Sequence, residues 1–214
     1  MKTPYSKTMD KNNPLASHPD PYWERNDFLS LNGLWDFEIT KGKDVPSKYT
    51  EKILVPFAVE TPLSGILRNV EKTDYLHYRK VISIDDKYVG KVGLLRFMAV
   101  DQECDVFIDG EKKLSHKGGY SSFTLCIYPL KKEFVLEVSV HDDTSSPIYA
   151  RGKQSNQAKG IWYTPTSGIW QEVYLEFLDS PDYLESCSIK GDFDGKKLIF
   201  YGKINCKFAK YKIA

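Results

Sequence analysis

The stretches EFVLEVSV (133–140) and GIWQEVYLEF (168–177) decide the fold. Inside them, FVLEVSV and QEVYLEF alternate apolar with polar residues at a period of two, the pattern of a strand with one buried face. Similar short runs recur outward from these two, each bounded by turn residues: LNGLWDFEI (31–39), KILVPF (52–57), YLHYRKVISI (75–84), KVGLLRFMAV (91–100), DVFID (105–109) and SFTLCIY (122–128). No window of a dozen residues holds the i, i+3, i+4, i+7 apolar stripe of an amphipathic helix. The chain therefore reads as all-β, a sandwich or jelly roll. Asp109-Gly110, between VFI and EKKL, suits a two-residue type I′ hairpin turn, in which both central residues need positive φ.

With 214 residues, folding can bury about 70% of the unfolded surface, enough for a core without staples. Hydrophobic residues at 41% and charged residues at 28% exclude a disordered chain. Fourteen Tyr and eleven Phe lean towards β structure. Thirty Lys plus Arg stand against 29 Asp plus Glu, so no global field exists to hold nucleic acid or an anionic membrane. No apolar run approaches the ~18 residues of a membrane span. Cys104, Cys126, Cys187 and Cys206 are far apart, and the four His are scattered. That argues for reduced thiols and against a zinc site; neither metal nor cofactor is expected. MKTPYSKTMDKNNP at the N-terminus lacks an apolar h-region, so a cytoplasmic protein is expected unless a leader has been removed.

The first ~30 residues, with four Pro, read as an irregular arm laid over the folded body. Two longer stretches, 58–74 and 141–167, lack strand character, and long loops in a β body are more often functional than idle. HKGGY (116–120) lacks the Walker spacing and reads as a tight connection between strands. LDSPDYLE (178–185), with Pro181, marks an expected boundary between residues 1–180 and 181–214. After it come two strand-like runs joined by Asp194-Gly195. From Gly195 to Ala214 there are six Lys and no acid, leaving residues 1–194 at −5 against the chain's +1.

Five ordered motifs carry a family resemblance: LNGLWDFEI, VPFAVETPLSGI (55–66), HYRKVISI (77–84), VFIDGEKKLSHKGGYSSF (106–123), and RGKQ (151–154) followed by GIWYTPTSGIWQEVYLE (160–176). Over roughly residues 20–178 the chain resembles the N-terminal sugar-binding domain of glycoside hydrolase family 2, the β-galactosidase, β-glucuronidase and β-mannosidase family. The resemblance implies a galactose-binding-like jelly-roll β-sandwich. The tail resembles the first strands of the family's immunoglobulin-like sandwich, left incomplete. In the family a (β/α)₈ barrel follows and supplies an acid/base glutamate and a nucleophilic glutamate, the pair a retaining glycosidase needs ~5–5.5 Å apart. Nothing here resembles that barrel, so no catalytic residue is assigned. The barrel and a β-glycoside substrate are the implied partners, and unpaired edges in the tail make a homo-oligomer conceivable.

The resemblance also selects candidate substrate-binding residues. Glu60, Ser64, Gly65 and Arg68 lie in the loop that family members bring close to the barrel mouth, where they either border the pocket or pack between domains. HDDTSSPIYARGKQ (141–154) concentrates Asp142, Asp143, Arg151 and Gln154, groups that hydrogen-bond sugar hydroxyls. The alternative there is that Arg151 pairs with Asp142 or Asp143 and pins the loop. Trp162 and Tyr163 suit either a stacking platform or a plain loop, whereas Trp170 and Trp35 read as core. Three functions compete: the sugar-binding domain of a family 2 enzyme, inactive by itself; an autonomous carbohydrate-binding module; and an oligomerisation scaffold.

Overall fold

A computed structural model describes residues 4–20, 22–25 and 27–205. Fourteen strands follow in chain order: β1 Phe28–Ser30, β2 Gly33–Thr40, β3 Glu51–Val55, β4 Tyr75–Ser83, β5 Val92–Phe97, β6 Val100–Asp101, β7 Glu103–Ile108, β8 Glu111–Lys117, β9 Phe123–Ile127, β10 Glu133–His141, β11 Gly168–Ile169, β12 Val173–Leu178, β13 Tyr183–Asp192 and β14 Lys197–Asn205. Among the described residues, helix is confined to single 3₁₀ turns at Pro4–Lys7 and Asp86–Tyr88. The fold is an all-β sandwich with antiparallel sheets. No helix of the described residues is long and apolar enough to cross a membrane.

A six-stranded sheet in the order β3-β2-β4-β10-β7-β8 faces a four-stranded sheet in the order β1-β12-β5-β9. Alternation sets which side chains enter the space between them. In β10, Phe134, Leu136, Val138 and Val140 are at most 3% exposed. From β2 and β4 come Trp35, Phe37, Leu76 and Tyr78, all at 1% or less, and the opposite sheet answers with Leu95, Phe97, Val173 and Leu175. Each such side chain contributes about 1.5–3 kcal/mol of burial. Trp35 also satisfies its indole, Nε1 donating to the Leu31 carbonyl at 2.8 Å. The Asp109-Gly110 turn has both residues at positive φ, 52° and 78°, as the type I′ reading requires.

One expectation changes. GIWQEVYLEF is not one strand: β11 pairs with β6, the chain bends at Trp170, and β12 resumes in the four-stranded sheet. Asp194-Gly195 does join the last two strands, at the centre of a four-residue turn, 193–196, whose left-handed residue is Lys196 (φ 51°). The arm does lie over the body, where Asn32 Nδ2 donates to the Pro14 carbonyl at 3.0 Å. Cys104, Cys126 and Cys187 are free thiols on strands, and Cys206 lies outside the described residues.

Candidate functional site

The two long segments, 58–74 and 141–167, meet at one end of the sandwich on Ser167, which is completely buried. Its backbone N–H donates to Glu60 Oε2 at 3.0 Å, and its Oγ donates to Asp142 Oδ2 at 2.7 Å. Thr144 Oγ1 adds a longer bond to the same Asp142 oxygen, 3.3 Å. Glu60 and Asp142, drawn from separate clusters of the sequence, thus lie beneath one surface, at 7% and 5% exposure.

A third buried carboxylate, Asp101 at the end of β6, joins them. Its Oδ2 accepts from Gln154 Nε2 at 3.4 Å. That amide also donates to Tyr120 Oη at 2.7 Å, while Gln154 Oε1 accepts the Thr166 N–H at 2.6 Å. Asp101 packs so close to the HKGGY turn that a Cβ on residue 119 would fall 2.1 Å from its Oδ1, so Gly119 is required there. Trp170 Nε1 donates to the Gly119 carbonyl at 2.8 Å, and its ring meets Tyr120 edge-on at 5.9 Å. The HKGGY stretch is the connection from β8 to β9 that the sequence suggests, and it also packs against Asp101 and Trp170.

Burial governs the charge state. It pushes the Asp101 carboxyl up to about 7, helped by the nearby Asp142 charge and opposed by the Gln154 amide. Glu60 and Asp142 are raised too, burial again leading and the Ser167 bonds opposing. Glu60 Oε1, fully buried, has no hydrogen-bond partner. The arrangement is a polar floor that ties three loops together and retains a proton near neutral pH. None of the three acids is open to solvent enough to reach a glycosidic oxygen. No group of three or more His, Cys, Asp or Glu among the described residues is placed to hold a metal ion.

The remaining candidates divide. Arg151 pins its loop, but through the Thr144 carbonyl at 2.5 Å and not through either aspartate. Asp143 turns to Ser145, whose N–H donates to it at 3.0 Å. Arg68 pairs with Glu51 at 2.6 Å on the β3 edge, outside the cluster. Ser64 closes its own turn, Oγ donating to the Thr61 carbonyl at 2.8 Å, and Gly65 follows it in that loop. Tyr163 is held beside Gln154 by backbone bonds, its N–H to the Lys153 carbonyl (2.8 Å) and its carbonyl to the Ser155 N–H (2.9 Å). Its ring is 60% exposed and Trp162 is 45% exposed. Trp170, expected in the core, sits partly exposed at the bend between β11 and β12. Sequence reasoning missed Asp101, Tyr120 and Ser167. Beside the floor, Tyr120 and Trp170 meet edge-on, and the exposed rings of Trp162 and Tyr163 belong to the same long segment as Gln154.

No family model matches the chain. Over 126 residues it is 31% identical to a β-galactosidase of Thermoanaerobacterium thermosulfurigenes, covering 56% of this chain and 17% of that enzyme. Over 129 residues it is 26% identical to a β-glucuronidase of Streptococcus agalactiae, covering 55% of this chain and 21% of that one. Over about half its length, then, the chain is similar in sequence to β-galactosidases and β-glucuronidases. Solved structures agree on the fold. A β-glucuronidase from an uncultured Clostridium superposes with a TM-score of 0.65 at 19% identity, over 86% of this chain and 35% of that one. A Ruminococcus gnavus β-glucuronidase in complex with D-glucuronic acid gives 0.64 at 16% identity, over 86% and 36%. The chain spans about a fifth of the length of the curated relatives it matches and about a third of the solved ones.

Proposed function

We propose that this chain is the non-catalytic sugar-binding sandwich of a retaining family 2 β-glycosidase, forming one wall of a substrate pocket whose catalytic acids come from a barrel elsewhere in the protein. The observation that supports this reading is the buried network in which Gln154 joins Tyr120 to Asp101 and Ser167 joins Asp142 to Glu60, with Trp170 edge-on to Tyr120 and the exposed rings of Trp162 and Tyr163 in the same long loop. The names of the homologues, β-galactosidase and β-glucuronidase, supply the sugar class. The reaction needs two carboxyl groups on opposite sides of one exposed bond. Glu60, Asp101 and Asp142 lie beneath the loops, and half-buried Asp143 is held below the ordinary carboxylate range by the Ser145 hydroxyl, which leaves it no proton to give.

The test is incubation of the 214-residue chain with chromogenic β-galactoside, β-glucuronide and β-mannoside, expected to proceed at the buffer rate. Activity that co-purifies and disappears in Asp142→Asn would make the chain an enzyme by itself. Micromolar affinity for a free monosaccharide would instead favour the autonomous module, for which the exposed Trp162 and Tyr163 are the supporting feature.

A further inference from the structure

On the four-stranded sheet, away from the candidate site, Glu176 of β12 has a fully buried side chain. Its Oε2 accepts from Arg96 Nε of the neighbouring strand β5 at 2.5 Å, and from Arg25 Nη1 of the N-terminal arm at 2.8 Å. His18, also from the arm, sits edge-on to Phe28 and Tyr174 with its Nε2 3.9 Å from Glu176 Oε1. Arg25 does one thing more: its Nη2 donates at 2.6 Å to the carbonyl of Leu184, in β13. Its guanidinium carbon lies 5.3 Å from the Trp23 ring and 5.9 Å from the Tyr183 ring. The arm, the sandwich and the β13–β14 hairpin therefore meet on one planar group.

Arg96 already neutralises Glu176, so the contribution peculiar to Arg25 is the bond across to Leu184. A two-stranded hairpin alone is marginal in water, and its order depends on what ties it down. A guanidinium spans two acceptors at a fixed angle, which a lysine ammonium cannot do. We infer that Arg25 is the positioning residue that sets how the β13–β14 hairpin stands against the sandwich. The assignment does not depend on what the loop site binds.

Hydrogen–deuterium exchange on the full chain tests it. In Arg25→Lys, peptides from 183–205 exchange about tenfold faster, the loss of one net hydrogen bond, while peptides from β5 and β12 stay within about twofold. In Arg96→Lys the pattern reverses: β5 and β12 loosen and the hairpin keeps its protection. Equal patterns in the two variants, or an unchanged hairpin in Arg25→Lys, would overturn the assignment. Should Arg25→Lys fold poorly, Arg25→Gln leaves the Glu176–Arg96 pair in place and reads the same contrast.

Discussion

β10 and β14 are both nine-residue antiparallel strands, and both are recognisable as strands in the sequence. β10 has neighbours on both edges and a sheet across its inner face, and its inward side chains are sealed. β14 has one hydrogen-bonded neighbour, and every one of its residues is exposed, Leu198 at 80% and Phe200 at 49%. The contrast separates two things that alternation confounds. Local sequence specifies the strand, but burial needs a second layer, and only the sandwich has one among the described residues. Stability should therefore reside between Phe28 and Leu178.

The sharpest break of that comparison is a matched pair of substitutions. Phe37 is fully buried against Tyr78, ring centroids 5.0 Å apart. Phe37→Ala should lose about 3–5 kcal/mol in urea unfolding, the transfer of an aromatic plus its cavity. Phe200→Ala should change it by less than about 0.5 kcal/mol. Comparable losses from both would mean that the hairpin shares the core.

The acidic floor belongs to the sandwich as well, and it gives stability a pH dependence of definite sign. Asp101 titrates near 7 when folded and near the ordinary carboxylate value of 3.8 when unfolded. Between those limits the folded chain holds a proton that the unfolded chain has released. Stability thus falls as pH rises from about 4 to about 7, by at most about 1.4 kcal/mol per pH unit from this group, and is flat beyond either limit. Glu60 and Asp142 act in the same direction. Asp101→Asn should make the fall shallower. His77, whose imidazole burial holds below its usual range, works the other way in part of this window, so a pH dependence that Asp101→Asn leaves unchanged would contradict this account of the floor.

Much of the fold was legible because period-two alternation is a strong local signal, and the type I′ turn followed from Asp109-Gly110 alone. The bend at Trp170 was not, since Ile169, Trp170 and Val173 look like one apolar run until tertiary pairing sends β11 to β6 and β12 to β5. The site was legible as two loops, not as a network. Asp101 ends the apolar run KVGLLRFMAV and looked like the end of a strand; an acid directly after such a run was the available signal. Ser167, the residue that joins Glu60 to Asp142, carries no motif that separates it from any other loop serine.

A smaller effect is expected at the junction. A chain ending at Ser180 loses the hairpin and the Arg25–Leu184 bond but none of the core. One hydrogen bond is worth about 0.5–1.5 kcal/mol net, and for a domain of this size that moves the thermal midpoint by a few degrees. Self-association should also decrease, because the exposed edges of β13 and β14 are gone. Failure of the shortened chain to fold would extend the sandwich past Leu178.

The smallest effect concerns the ligand. Sugar hydroxyls exchange hydrogen bonds with water for hydrogen bonds with protein at little net gain. Here they meet only an open surface, since the polar groups of Gln154 are already committed to Tyr120, Asp101 and Thr166. Free monosaccharides should bind in the millimolar range or weaker, by NMR titration. What affinity exists should come from stacking on the exposed faces of Trp162 and Tyr163, so replacing either by Ala should weaken it by several-fold, on the order of 1 kcal/mol. The same substitutions should leave the unfolding midpoint nearly unchanged, as neither ring is in the core. Chemical-shift changes confined to the hairpin, with the indole signals of Trp162 and Trp170 unmoved, would place sugar contact on the wrong half of the molecule and remove the main support for the pocket wall.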